Sequence, residues 1–437
     1  MPSARPSRTT IAALATTVAG ALLVTSCSTA SSGGGQAGAA DGKTNLTVSL
    51  FGTFGYEEAG LFDEYEQLHP DVTIQYESTQ GENTYWPALQ TKLASGNGTA
   101  DVQGIEVGRI ADVVAGQAAK WTDLKGTPAG SQVANYPDWK SAAATTKDGK
   151  VLGLGTDIGP MALCYRTDLL GQAGLPTDPA QLAARMGSWD DYVALGREYK
   201  AKAPAGSAWM DSAGGFYNAI ISTESTIYYD ADGELVWNSN PAVKKAFDTA
   251  AAAADEDLTA KLEQFEDPAW DKGFGGGAFA TIACPAWMVG YIKGKAGDAG
   301  SGKWGITSLP GGAGGNWGGA YLGIPKASKN TEAAAELVKW LTDPEQQAKV
   351  FEVGGNFPSN TGAFDLVAGT KDAYFQDAPI GELFSDAAQA APTQTLGPED
   401  AVVKSSLVQA LLSVETNGVS PADAWQAATK DLDNQIG

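Results

Sequence analysis

The sequence predicts an α/β fold in which helices cover sheets, because strand-like and helix-like segments alternate along its first part. Three segments have the length and apolar pattern of strands: 46–51, 72–76 and 101–105. Three further segments have the pattern of helices: 57–68, 84–93 and 110–119. Each helical segment follows a strand, so we expect sheets whose strands are joined by helices.

Capping residues mark the starts of later helices. Ser188 opens a four-residue pattern that resembles a capping box. Asn240 and Ser420 each precede a proline, which is typical of an N-cap followed by the first helical residue. Asn330 is expected to open a helix over 333–341. The second half of the chain is therefore also expected to be rich in helices.

The composition is that of a folded, acidic protein. Hydrophobic residues make up 43% of the 437 residues, with 12 Trp, 14 Tyr and 13 Phe, which suffices for the cores of two or three domains. The formal net charge of −22 argues against nucleic acid and anionic lipid surfaces as partners. A neutral ligand suits such a protein better than an anionic one.

The first 26 residues have the pattern of a secretory signal. Arg5 and Arg8 precede an apolar run over 11–24, which small residues close. This run is too short for an ordinary membrane span. We therefore expect the segment 1–26 to be a signal peptide that directs export.

Cys27 follows this run directly, after a valine, a threonine and a serine. The four residues together resemble the lipobox of bacterial lipoproteins, whose cysteine is lipidated and becomes the first mature residue. A plain signal peptide that ends near a cysteine is the alternative. The next residues are mostly Ser, Thr, Gly and Ala, a composition typical of flexible linkers. We expect lipidation at Cys27 and a flexible, lipid-anchored tether over 27–43.

Two further cysteines, Cys164 and Cys284, lie in apolar, strand-like runs. An exported protein meets oxidising conditions, in which a disulfide is permitted. The sequence leaves open whether they form a disulfide or remain two buried thiols. His69 is the only histidine, and no cysteine pair has metal-ligand spacing, so neither a metal nor a cofactor is expected.

Several segments occur in a familiar order along the chain. They are 45–51 with 72–76, then 153–170, 278–287, 321–326, 332–347 and 354–359. Each alone is unspecific, but together they resemble the family 1 extracellular solute-binding proteins of sugar ABC importers, relatives of the maltose-binding protein. The resemblance covers nearly all of the chain after residue 26.

This resemblance implies a two-lobed fold of the periplasmic-binding-protein type (type II). Each lobe is then a sheet flanked by helices, with a ligand cleft between the lobes. The N-terminal lobe would consist of 44–156 plus 310–354. The C-terminal lobe would consist of 157–309 plus 355–437.

The same resemblance implies three crossings between the lobes, near 156–158, 305–310 and 354–355. Glycines in these regions suit hinges, although glycine marks any turn. The resemblance also makes the strands of Cys164 and Cys284 neighbours in the C-terminal lobe, which favours the disulfide. Many relatives carry other residues at these two positions.

A sugar offers apolar C–H faces and many hydroxyls, so its site should combine aromatic rings with carboxylates and amides. By the resemblance, the loop with Phe54 and Tyr56 faces the ligand, and Trp287 occupies a position where an aromatic ring stacks on a sugar. The alternatives are a hydrophobic staple for the loop and a core position for Trp287. We expect Trp287 to be the principal ligand contact.

Two carboxylates are candidates for binding hydroxyls. Glu106 follows the third predicted strand, and Asp157 lies at the first expected crossing. The alternatives are an ion pair of Glu106 with Arg109 and a helix or turn cap formed by Asp157. The remaining candidates flank glycine pairs: Trp209, Phe216, Tyr217, Asn316 and Trp317.

These features predict a monomeric receptor, not an enzyme. It is expected to capture a di- or oligosaccharide, to deliver it to the permease subunits of an ABC transporter, and to be lipid-anchored to the outer face of the cell membrane. An exported glycoside hydrolase is the first alternative, since it would also use aromatic and acidic residues. An adhesive lipoprotein is the second.

Overall fold

The computed structural model describes residues 43–436. Its strands are β1 (Thr44–Phe51), β2 (Val72–Thr79), β3 (Val102–Glu106), β4 (Leu154–Gly155), β5 (Asp157–Ile158), β6 (Met161–Arg166), β7 (Ala208–Met210), β8 (Phe279–Pro285), β9 (Trp304–Thr307), β10 (Ala320–Gly323) and β11 (Phe357–Pro358). The predicted signal peptide, Cys27 and nearly all of the tether lie outside the described residues. Across 43–436, no helix is long and apolar enough to span a membrane.

Helices account for most of the remaining structure. They are α1 (Leu61–Leu68), α2 (Glu82–Ser95), α3 (Val107–Gly116), α4 (Asp138–Ala143), α5 (Thr167–Gln172), α6 (Pro179–Ala184), α7 (Trp189–Lys200), α8 (Ala213–Ile221), α9 (Pro241–Asp255), α10 (Pro268–Gly276), α11 (Met288–Gly300), α12 (Thr331–Leu341), α13 (Pro344–Gly354), α14 (Phe364–Val367), α15 (Ile380–Ala390), α16 (Asp400–Asn417) and α17 (Pro421–Ile436). The predicted α/β class is confirmed.

Helix capping explains several of these boundaries. The Ser188 hydroxyl accepts a hydrogen bond from Asp191 N, and the Asn240 side chain accepts one from Ala242 N, as the capping patterns predict. Asn330 is the N-cap residue of α12, as predicted, but its side chain forms no capping hydrogen bond. Its amide instead donates to the Asn45 carbonyl, so it ties the start of α12 to β1. The first helix begins at Leu61 and not at 57, because Gly60 has a left-handed φ of 67°.

The first sheet has the strand order β2-β1-β3-β10-β4. Strands β1, β2 and β3 are parallel, whereas β10 runs antiparallel to both β3 and β4. The alternating residues Leu46, Val48 and Leu50 of β1 are fully buried in the hydrophobic core beside this sheet. This alternation is what makes the segment a strand with one face against helices.

The second sheet has the order β7-β8-β6-β9, and every residue of β6 and β8 is buried. The chain passes from the first sheet to the second between β4 and β6, and it returns between β9 and β10. Strand β5 lies within the first passage and pairs with β11, which follows α13. The fold is therefore two-lobed, with several chain segments running between two sheets.

A disulfide joins Cys164 of β6 to Cys284 of β8, with their Cα atoms 5.4 Å apart. In the antiparallel pairing Cys164 lies opposite Ile282 and Ala162 lies opposite Cys284, so the two cysteines are diagonal neighbours on one face. Both are fully buried, next to Ile306 of the same core. The disulfide interpretation is confirmed, and the free-thiol alternative is wrong.

Replacing both cysteines by alanine should lower the free energy of unfolding by about 2–4 kcal/mol, since the disulfide closes a long loop, its cysteines being 120 residues apart in sequence. Urea unfolding with and without a reductant measures this. The reductant should shift the midpoint of the native protein and leave the double variant unchanged. Equal midpoints for the native protein under both conditions would contradict a stabilising disulfide.

Candidate functional site

A cavity of about 460 Å³ lies between the two sheets. The first sheet contributes the loop after β1 and Glu106 at the end of β3. The second contributes Trp287, two residues after β8, while helices α8 and α16 add further walls. The volume is within the usual range of small-molecule sites. The segments that run between the sheets also line this cavity, so its shape depends on how they are held.

Two of these segments are hydrogen-bonded to each other at the base of the cavity. Gly159 N donates to Asn316 Oδ1 at 2.8 Å, and Trp317 N donates to the Gly159 carbonyl at 2.8 Å. A side chain on Gly159 would collide with the Trp317 carbonyl oxygen, so only glycine allows this approach. Gly318 and Gly319 both have φ of 102°, a conformation that glycine adopts without strain. The amide of Asn316 therefore fixes the backbone as well as lining the cavity.

Trp287 and Trp317 form an aromatic corner in the cavity wall. The Trp287 Nε1 donates to the Trp317 carbonyl at 3.0 Å, and the two rings meet edge to face with centroids 6.2 Å apart. Both side chains are partly exposed and line the cavity. The hydrogen bond uses the only polar atom of the Trp287 ring and holds the ring in one orientation. The ring therefore presents an apolar face to the cavity.

Phe265 extends this aromatic surface, although no sequence pattern indicated that it would lie there. Its ring centroid lies 6.0 Å from that of Trp287 and 4.8 Å from that of Trp270. Its φ of 68° is unusual for a bulky residue and costs on the order of 1–3 kcal/mol. The neighbouring Gln264 is anchored by a 2.6 Å hydrogen bond to Asp211, which helps to impose this conformation.

Other aromatic residues that sequence reasoning missed also line the cavity: Phe51, Trp139, Tyr228 and Tyr291. Trp139 comes from α4 yet packs against the core beside the second sheet. Its segment has no glycine pair or strand end that could have singled it out. Only the folded chain brings it to the cavity.

Glu106 lies at the N-terminus of α3, where its carboxylate accepts a hydrogen bond from Gly108 N. Burial raises the pKa of Glu106, an effect that the nearby Lys404 ammonium opposes. The alternative pairing with Arg109 is not formed, because Arg109 binds Glu82 with Nε and Oε1 2.9 Å apart. The second carboxylate oxygen of Glu106 remains available to a hydroxyl donor.

Asp157 is buried and lines the cavity at its base. Its carboxylate accepts from Ala320 N at 2.9 Å and from the Thr156 hydroxyl at 2.7 Å, so it joins two of the segments between the sheets. Burial raises the pKa of Asp157, and the Lys140 ammonium opposes that change. Lys140 is fully buried over the ring of Tyr321, and burial lowers its pKa to about 8. Asp157 therefore has a structural function in addition to its position in the cavity.

Four candidates do not reach the cavity: Tyr56, Trp209, Phe216 and Tyr217. Trp209 is fully buried against Tyr192, with ring centroids 5.1 Å apart. Tyr56 packs on Phe62 of α1, as the staple alternative proposed. These four residues belong to the cores and are not supported as ligand contacts.

Helix α8 shows why two of these residues lie away from the cavity. Phe216 and Tyr217 point into the core, where the Tyr217 hydroxyl bonds that of Tyr228 at 3.0 Å. The cavity instead meets Gly215, Asn218 and other residues on the opposite face. A wholly buried helix has no polar stripe, so the sequence does not reveal which face meets a cavity.

Helix α16 forms a wall that sequence reasoning did not include. Asp400, Lys404 and Val408 are spaced one turn apart and line the cavity together with Glu415. Burial raises the pKa of Asp400 and of Glu415 to about 7 each. Within residues 43–436, no cluster of His, Cys, Asp and Glu side chains could hold a metal ion.

A family model described as bacterial extracellular solute-binding protein matches residues 60–379. The chain belongs to this family. Among solved structures, a family 1 extracellular solute-binding protein is 40% identical, with a TM-score of 0.75 over 90% of this chain and 99% of that one. The binding protein of Bifidobacterium animalis subsp. lactis in complex with β-1,6-galactobiose is 20% identical, with a TM-score of 0.76 over 89% and 97%. Because this second protein is only 20% identical, the match shows that the two proteins share a fold and shows nothing about their ligands.

The curated sequences that match include proteins named for the sugars they bind. A lactose-binding protein of Rhizobium radiobacter is 30% identical over 167 residues, which are 38% of this chain and only 37% of that protein. An arabinooligosaccharide-binding protein of Bacillus subtilis is 25% identical over 342 residues, which are 75% of each chain. This solute-binding protein therefore resembles proteins named for different sugars.

The buried carboxyl of Glu415 predicts a pH-dependent stability. Its pKa is about 7 in the folded protein against 4.5 for a free glutamate, so between these values the folded state binds more protons than the unfolded state. The stability due to this group is fully present at low pH and is lost as the pH rises through 7. Glu415→Gln, which keeps an acceptor for Ala213 N, should therefore raise the free energy of unfolding by about 2–3 kcal/mol at about pH 8.

Urea unfolding at about pH 4.5 and about pH 8 checks this prediction, because the gain should vanish at the lower pH. Glu57→Gln, at an exposed position, is the matched control. An equal gain for Glu415→Gln at both pH values would contradict the assignment.

Proposed function

We propose that this solute-binding protein captures a di- or oligosaccharide in the cavity and delivers it to the permease subunits of an ABC transporter. The observation that carries the proposal is the indole of Trp287, fixed at the cavity wall by its hydrogen bond to the Trp317 carbonyl. A ring held in place offers a flat apolar surface to the C–H face of a sugar without an entropic cost on binding. The names of two relatives, for lactose and arabinooligosaccharide, support the same ligand class.

Polar groups beside the aromatic corner suit the hydroxyls of such a ligand. Glu106 offers a carboxylate oxygen, while Asn218 and Gln264 offer amides in the same cavity. A buried site of this kind rejects ligands that leave its polar groups unpaired. Specificity among sugars would then depend on these hydrogen bonds, and affinity on the rings.

We propose binding without chemistry. A glycoside hydrolase needs an acid and a second carboxylate that flank the glycosidic bond. The Asp157 carboxylate already accepts hydrogen bonds from Ala320 N and Thr156, which suits the base of a binding cavity better than a catalyst. The family to which the chain belongs is described by binding.

We further propose that the lobes, 44–156 plus 310–354 and 157–309 plus 355–437, close on the sugar by rotation about the segments between the sheets. The segment near Gly159 and the one near Gly318 meet at the base of the cavity. Small rotations there move both walls relative to each other. Closure would desolvate both faces of the sugar together.

Export and lipidation at Cys27 complete the proposal. A monomeric receptor tethered by 27–43 at the outer face of the cell membrane stays near its transporter. Tethering raises the effective concentration of the receptor at the permease without any new contact. The Ser- and Gly-rich composition of this segment supports a flexible connection.

Titration with lactose, maltose, β-1,6-galactobiose and arabinotriose, followed by tryptophan fluorescence and calorimetry, tests the function. At least one sugar should bind saturably and be recovered unchanged by chromatography. Trp287→Ala should weaken that binding by about 30-fold or more, because it removes the fixed ring. Trp425→Ala is the matched control, since Trp425 is also partly exposed but packs on Phe247, outside the cavity.

Two results would refute the proposal. Release of monosaccharide product would make the protein an enzyme, and saturable binding of a peptide or polyamine in place of every sugar would exclude the carbohydrate class. Unchanged affinity in the Trp287→Ala variant would remove this residue from the site.

The anchor has its own test. Cys27→Ala should move the protein from the membrane fraction to the medium and abolish its labelling by a radioactive fatty acid. A variant with alanine at the nearby Ser28 should remain membrane-bound and labelled. Retention of the Cys27→Ala protein in membranes would contradict lipidation at this residue.

A further inference from the structure

A second concavity of about 590 Å³ opens beside the cavity, between α3, α16 and α17. We call it the side groove; its outer wall includes Ser406, Asp431 and Gln435. Arg109 and Gln409 line both the cavity and the side groove. The two spaces therefore share a boundary.

Part of this boundary belongs to α16. On α16 it consists of Ala401, Ser405 and Gln409, which are spaced one helical turn apart and line both spaces. Two of these side chains, those of Ala401 and Ser405, are small and add little bulk to the α16 side of the boundary. Arg109 of α3 lies on the opposite side, and its guanidinium is held by Glu82 at 2.9 Å.

The chemistry of the side groove differs from that of the cavity. None of the described residues that line it is aromatic. Its polar side chains are already oriented, since Asp431 accepts from the Ser406 hydroxyl at 3.0 Å and from Gln435 Nε2 at 2.7 Å. Gln435 keeps its carbonyl oxygen free, and Asp431 keeps unused lone pairs. Such a surface suits hydroxyls and offers no flat apolar face.

We propose that the side groove is an additional subsite for the outer units of a linear oligosaccharide whose inner units lie in the cavity. This inference rests on the proposed carbohydrate function and deepens it. Inner units stack on the aromatic corner, whereas outer units pass over the boundary and are bound through hydroxyls alone. The protein therefore prefers chains of three or more units to disaccharides of the same linkage.

Calorimetry with three series of di-, tri- and tetrasaccharides tests this: maltose to maltotetraose, β-1,6-galactobiose to its tetramer, and arabinobiose to arabinotetraose. In the series that binds, the tetrasaccharide should bind about tenfold more tightly than the disaccharide, as two or three added hydrogen bonds allow. Ala427→Trp, which fills the side groove, should abolish this gain and leave disaccharide affinity unchanged. Gln426→Trp, exposed on the adjacent face of α17 and outside the groove, should retain it.

The outcomes separate this inference from the proposed function. Equal affinity for the disaccharide and tetrasaccharide, or an undiminished gain in Ala427→Trp, overturns the subsite while carbohydrate binding stands. No binding in any series overturns both. If Ala427→Trp does not fold, Asp431→Ala makes the same test with a smaller change. The gain in affinity from disaccharide to tetrasaccharide should then fall severalfold. An undiminished gain again overturns the subsite.

Discussion

The close contact of two chain segments at the base of the cavity is the constraint on which the rest of the structure depends. Gly159 and Trp317 pair through their backbones, and Asn316 and Asp157 add side-chain hydrogen bonds across the same junction. The first sheet takes strands from before the first of these segments and β10 from after the second, whereas all four strands of the second sheet lie between the two segments in sequence. The junction therefore lies where the chain leaves and re-enters the first sheet. The contact requires glycine at 159, because a larger residue would separate the segments.

The candidate site follows from that junction. The carbonyl of Trp317, placed by its pairing with Gly159, accepts the hydrogen bond that orients Trp287. The disulfide between Cys164 and Cys284 stabilises β8, the strand that ends two residues before Trp287. One continuous set of contacts therefore connects the core of the second sheet, the base of the cavity and the aromatic ring proposed to hold the sugar.

Burial of acidic groups accompanies this arrangement. Asp157, Glu106, Asp400 and Glu415 all lie around the cavity, and burial raises the pKa of each. Their charges oppose folding, whereas their oxygens are good partners for hydroxyls. The buried acceptors of the cavity therefore come at a cost in stability.

The sequence by itself determined the α/β class, the family resemblance and the starts of several helices, since periodicity and capping are local properties of the chain. Six of its candidate contacts line the cavity, because strand ends and the segments between the lobes meet there: Phe54, Glu106, Asp157, Trp287, Asn316 and Trp317. It could not separate Trp209, Phe216 and Tyr217, which are core residues, from Trp139 and Phe265, which line the cavity. That distinction depends on which helix face meets the cavity and on a strained backbone at Phe265, and only the packing of residues distant in sequence decides both.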